Sequence, residues 1–146
     1  MPDMEAGFYA IVIDSLSVTA FAGVAEIGDI WVIDNANRQV LHYGTAGIGP
    51  AVGVGAIVSR QFGAVYLNAA GDLMGISVTG QSDGAIGLGG SGSLSTPLPL
   101  DPVHSTLTGG PTAGFGASLS RIVNYSWFKK VYSFEEAPGL VPIPEN

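Results

Sequence analysis

His42 and His104 are the only side chains in this chain whose ordinary titration falls near neutrality, so proton-transfer chemistry would begin with one of them. His104 stands close to Asp101 and Ser105, which puts an aspartate, a histidine and a serine side by side in the chain. Catalytic triads are assembled from separated segments, so this proximity reads as a set of polar loop residues. His42, in Val40-Leu-His-Tyr43, reads as a packed or surface position of a strand. Asp29, Asp34, Asp72 and Asp83 are isolated and read as turn acids, with no EF-hand or zinc spacing among them. The run Gly87–Ser93, GLGGSGS, has the look of a phosphate loop. No lysine follows it and no helical pattern opens there, so no nucleotide site is expected. With no cysteine, thiolate ligands and thiol nucleophiles are excluded. No residue set fixes a reaction, and no cofactor is implied.

The aromatic residues are a second set of candidates. Trp31, Tyr43, Tyr66, Trp127, Phe128 and Tyr132 fall near expected strand ends or in the last strand. Large rings at such places cap a core; the functional alternatives are the lining of an apolar ligand cavity or a contact belt at a lipid interface. Trp31, Tyr43, Tyr66, Trp127 and Tyr132 are therefore the ligand-contact candidates.

The elements that must position these residues are organised by glycine. Fourteen of the 22 glycines lie between Gly44 and Thr96. Each glycine inside a strand costs about 0.5–1 kcal/mol relative to alanine, so so many must have structural work. Gly71 and Gly84 fit turns; others fit bulges or close approaches of backbone. Val52, Val54, Ala56 and Val58 alternate with Gly53, Gly55, Ile57 and Ser59. Period two implies a strand, and one bulky face opposite one bare face implies strong curvature with the bare face concave. The expected fold is all-β and antiparallel: a closed or nearly closed, glycine-rich β-barrel, with a tight β-sandwich as fallback.

Along the chain, Phe8–Phe21 reads as the first strand, with a bulge near Asp14 that returns Leu16 and Val18 to the core. Ile30–Ile33 and Gln39–Tyr43 read as a hairpin around Asp34–Arg38, and Ala64–Asn68 with Leu73–Gly80 as a second hairpin. Ala85–Ser95 and Thr112–Ser120 are further strands, joined by a Pro/Gly-rich connection, Pro97–Pro111. Arg121–Phe134 matches both a strand and a helical stripe, so one C-terminal helix is an open alternative to a last strand. Residues 1–136 form one domain, and 137–146 a Pro-rich tail.

The chain has 146 residues, a net charge of −7 and only 12% charged residues against 47% hydrophobic ones. The acidic balance argues against nucleic acid. The N-terminal Met-Pro-Asp-Met-Glu is acidic and does not read as a signal peptide. No apolar run approaches the roughly 18 residues of a spanning helix. The excess apolar content implies unusual burial or a surface that meets a subunit, a ligand or lipid.

Val52-Gly-Val-Gly55, Tyr66–Asp72, Gly87–Ser93 and Ser105–Pro111 together resemble the glycine-rich β modules near the C-terminal ends of large bacterial secreted proteins of the RHS and polymorphic-toxin type. The resemblance covers about residues 44 to 126. It implies a bacterial, extracellular or delivered setting and assigns no catalytic residue.

The leading expectation is a non-enzymatic β-barrel module that self-associates or binds a protein or another apolar partner. A second is a lipid-inserting or pore-forming protein using the Gly/Ser-rich hairpin 85–120, although no alternation of the full membrane-barrel kind reads through the sequence. A third is a small barrel enzyme or carrier, cyclase-like, with hydroxyls such as Tyr43, Tyr66 or Tyr125 in an apolar cavity.

Overall fold

The computed structural model describes residues 4–97 and 105–136. His104, Asp101 and the 137–146 tail lie outside them. Five strands follow one another: β1 (Gly7–Ala20), β2 (Gly23–Asp34), β3 (Gln39–Leu67), β4 (Gly75–Pro97) and β5 (Thr106–Ser133), with a 3-10 turn, Ala70–Leu73, between β3 and β4. They form one antiparallel sheet in the order β1-β2-β3-β5-β4, and β1 also pairs with β3. Among the described residues β4 is paired along one margin only, so the expected all-β, antiparallel sheet forms but does not close into a barrel.

The length of β3 explains the arrangement. Its first part, Gln39–Pro50, pairs with β2, and its last part, Gly55–Leu67, pairs with β1. Between them the strand turns over, and β5 and β4 turn with it. Gly55 faces Gly116, which faces Ala85, so one line of small residues crosses all three strands in register. Gly53, Gly114 and Gly116 have φ of 125°, 133° and 112° there, a region that side chains rarely adopt. A Cβ at Gly53 would run into the Ala117 carbonyl oxygen, and one at Gly116 into that of Val54. The bare face is therefore the inner side of a crease, as curvature demands. The crease brings the two halves of β4 together, and Thr79 Oγ1 donates to Ser95 Oγ across the interior at 3.0 Å.

Several sequence expectations change. β1 pairs with β2 and β3 in unbroken register, so there is no bulge at Asp14. The irregularity is in β5, where His42 faces Lys130 and Tyr43 faces Phe128, leaving Lys129 as the extra residue. Residues 119–133 are strand, not helix: β5 pairs with β3 along this stretch and with β4 up to Ser126, and ladder bonds decide what a mixed apolar pattern leaves open. The hairpin around Asp34–Arg38 forms, with Asp34 accepting from Asn37 and Gln39. The second hairpin does not, because β5 lies between β3 and β4. Gly71 and Gly84 are not at positive φ; Gly75 and Gly87 are.

An apolar core occupies the end away from the crease. Ile11, Ile30, Val32, Leu41, Tyr43, Val65, Leu67 and Ala70 fill its inside. Val12, Trp31, Ile33, Val40 and Phe134 form a second cluster.

Candidate functional site

Toward the crease the burial pattern inverts. On β1 the inward series runs Tyr9, Ile11, Ile13 and then Ser15, Ser17, Thr19, without any change of face. Ser15, Ser17 and Thr19 are buried, while Leu16 and Val18 on the opposite face are exposed. β5 repeats this over most of its length: Thr106, Thr108, Thr112, Ser120, Asn124 and Ser126 are buried, and Leu107, Phe115, Leu119, Val123 and Tyr125 are exposed. Strict alternation of side chains in a strand leaves no other choice once register is fixed.

Most of the buried hydroxyls and amides satisfy one another. Ser15 and Ser59 lie 2.8 Å apart, Ser126 Oγ donates to Thr45 Oγ1 at 3.1 Å, and Thr79 Oγ1 also lies 2.7 Å from Asn124 Oδ1. Gln61 contacts Ser91, Ser93 and Thr108. Such a network is stable only when nearly complete. Glu26 on β2 and Asp83 on β4 are the carboxylates within it; Gln81 hydrogen-bonds to both. Burial pushes the Glu26 carboxyl from an ordinary 4.5 up to about 7, against the lowering effect of the Gln81 bond and with Asp83 adding to the rise. Burial raises Asp83 as well. Asp83 is thus an inward strand residue, not the turn acid its Ser-Asp-Gly context implies.

Toward the crease the outer surface is apolar on every strand. One cross-strand row reads Ile27, Ala46, Tyr125 and Ile76, and continues on the other side of the crease as Leu16, Val58, Ala113 and Leu88. Ile86 is 97% exposed, Leu88 80% and Val52 76%. The β1–β2 turn is apolar too: Phe21 and Ala22 take positive φ, and the Phe21 ring is fully exposed. Among outward positions from the level of Leu16 and Tyr125 to the crease, Arg121 alone is charged. Above that level the surface becomes ionic. Arg60 holds Asp14 through Nε at 2.6 Å and Nη2 at 2.8 Å. Asp29 meets His42 Nε2 at 2.7 Å and Lys129 Nζ at 3.2 Å. Partial burial pushes the Asp29 carboxyl up, but the bonds from His42 and Lys129 outweigh it, so the net direction is down.

The aromatic candidates are distributed over these zones and do not share one cavity. Trp31 and Tyr132 come together: Trp31 stacks on His42 with centroids 3.8 Å apart, and Tyr132 lies 6.1 Å from Trp31. Trp127 covers Gly44, where a Cβ would lie 2.5 Å from its ring, and stacks with Tyr125 at the border of the apolar zone. Tyr66 packs edge-on against Phe8. Tyr43 is buried in the core, meets Phe128, and donates its hydroxyl to the Ala70 carbonyl at 2.8 Å. Tyr43→Phe should leave that carbonyl unpaired and lower stability by about 1–2 kcal/mol in urea unfolding.

The residues that sequence reasoning missed are the inward Ser17, Glu26, Gln81 and Asp83. The available signal was the alternation of Ser, Thr and Asn with apolar residues along β1 and β5, whose polar half looked like the outside. Among the described residues no group of His, Cys, Asp and Glu is large enough to be a conventional metal centre. His42 is hydrogen-bonded to Asp29, a carboxylate and not a nucleophilic hydroxyl. No family model matches this chain, and neither a curated protein nor a solved structure does.

Proposed function

We propose that this chain is a self-associating, lipid-inserting β module that buries its creased end in hydrocarbon and keeps its ionic end in water. The observation that carries the reading is the reversal of polarity: hydroxyls, amides and carboxylates inside, branched and aromatic side chains outside. Water-soluble monomers rarely expose apolar patches beyond a few hundred Å². Each exposed Ile, Leu, Val or Phe would gain about 1.5–3 kcal/mol on leaving water. At about 3.3 Å per residue the outward apolar run is roughly 13 Å long from Leu16 to Ala20 and roughly 40 Å from Phe115 to Trp127, which brackets the ~25 Å band of membrane barrels. Trp127 and Tyr125 lie at its border and Lys129 just above, the order expected at a lipid–water boundary.

The two halves of β3, β4 and β5, with β1 and β2, surround the interior with about eight strand segments, a number whose lumen side chains fill. The reading is therefore an embedded module and not an open, dye-sized pore. Sheet margins cannot face lipid unpaired, so the free margin of β4 is assigned to a second copy in the inserted form. A delivered or extracellular setting, as the RHS-type resemblance implies, would bring this surface to a membrane from water.

Flotation with phosphatidylcholine vesicles tests the proposal. The wild-type chain should float and cross-link as an oligomer, without releasing entrapped dye. Ile48→Lys with Val54→Lys should abolish flotation, since a charge at lipid depth costs about 2–4 kcal/mol, while β-type circular dichroism persists. Oligomers without flotation would instead assign the apolar face to a protein partner, the reading the free β4 margin favours by itself. A monomer that does not float would refute both.

A further inference from the structure

We propose that Glu26, Asp83 and Gln81, with the neighbouring serines, bind one hard divalent cation of the calcium type inside the polar interior. Gln81 Nε2 donates to Asp83 Oδ2 at 2.7 Å, and the Gln81 side chain also bonds to Glu26, so one amide joins the two carboxylates. Ser17 and Ser118 reach Asp83 as well. Each carboxylate nevertheless keeps one buried oxygen without a partner, Glu26 Oε2 and Asp83 Oδ1, on residues only 7% and 6% exposed.

A separate sign comes from a group that carries no charge. Ser120 Oγ is buried and unpartnered, and Ser120 stands directly opposite Gln81 on the same inward face. Three orphaned oxygens in one neighbourhood are costly unless something electropositive meets them. Among the described residues no basic side chain does: Arg60, Arg121, Lys129 and Lys130 are on the outer side, and Arg38 is in the β2–β3 turn. Glu26 and Gln81 also border a cavity of about 50 Å³, shared with Thr79 and Asn124, whose wall does not include Asp83 or Ser120.

The donors are all oxygen, from carboxylate, amide and hydroxyl, with no imidazole or thiolate. That set suits a hard cation, and two carboxylates match a double charge. An irregular cage from β1, β2, β4 and β5 suits calcium, which tolerates uneven geometry, better than magnesium, which requires a regular octahedron.

Calorimetric titration of the chelator-treated full chain with CaCl2 at pH 8 tests this. Saturable binding of one ion per chain is expected. At a hundredfold excess over Kd the melting temperature should rise by about 5–10 °C. Glu26→Gln with Asp83→Asn should abolish binding; its circular dichroism should stay native because it removes buried like charges. Ser120→Ala should weaken binding about tenfold with both charges in place, and Asp29→Asn, on the outer surface, should leave it unchanged. MgCl2 should bind at least tenfold more weakly. The absence of a saturable signal, or binding that survives the double substitution, would overturn the proposal, as would binding lost in Asp29→Asn alone. None of these outcomes depends on lipid insertion.

Discussion

Gly116→Val is expected to abolish the folded state or to lower its stability by about 2–6 kcal/mol, a large part of what a domain of this size has. Two independent effects add. Valine at φ 112° is strained, at about 1–3 kcal/mol. Its Cβ also meets the Val54 carbonyl oxygen across the β3–β5 pair, and relieving that overlap costs about 1–3 kcal/mol more. The clash cannot relax locally, because Gly116 faces Gly55 on one side and Ala85 on the other. Moving any of the three strands opens the crease for all. Gly80→Ala is the control: its position is exposed, has open space around it and lies off the crease, so the change should be neutral or stabilising by about 0.4–1 kcal/mol. Urea unfolding followed by circular dichroism reads both. Equal midpoints for Gly116→Val and wild type would mean that the strands do not turn over at this line.

That crease was legible in the sequence as curvature, since Gly53 and Gly55 alternate with Val52, Val54 and Ala56. Its consequence was not. Cutting the chain at glycines turned β3, β4 and β5 into short strands and hid the alternation that runs through each. The antiparallel pairing and the Asp34–Arg38 turn followed from local composition, as turn chemistry does. The placement of β5 between β3 and β4 is a long-range choice that no local pattern encodes. The direction of burial was the deepest miss. Leu16 and Val18 were returned to the core by a bulge because apolar residues ordinarily face inward. Unbroken register with both neighbours forbids that, and Ser15, Ser17 and Thr19 take the inside instead. Residues 119–134 were ambiguous for the same reason: Ile122 is apolar and inward among Ser120, Asn124 and Ser126, which blurs the period of two.

Glu26→Gln, in the presence of a chelator, should raise stability at pH 8 by about 2–3 kcal/mol and flatten the pH profile between about 4.5 and 7. The sign follows from the direction of the shift. Burial holds the folded Glu26 carboxyl at about 7, above its ordinary 4.5, so the folded chain binds the proton more tightly than the unfolded one. Stability from this group is therefore complete below about 4.5, declines as pH rises toward 7, and is lost above it. A shift of this size corresponds to about 3 kcal/mol at 1.36 kcal/mol per pH unit, most of it falling between about pH 4.5 and 7. Glu26 faces Ser17 on β1, Gly47 on β3, and Gln81 and Asp83 on β4, with no base among them to offset the charge. Asp83, also raised by burial, steepens the slope in the same direction. Asp29 and Glu136 are lowered and act with the opposite sign, in the acid range below the ordinary carboxylate values. Thermal unfolding across pH 4.5–8 separates these contributions. A wild-type melting temperature that rises toward pH 8, or a Glu26→Gln profile parallel to wild type, would mean that Glu26 is hydrated and that the interior is not the dry polar network on which the inverted fold depends.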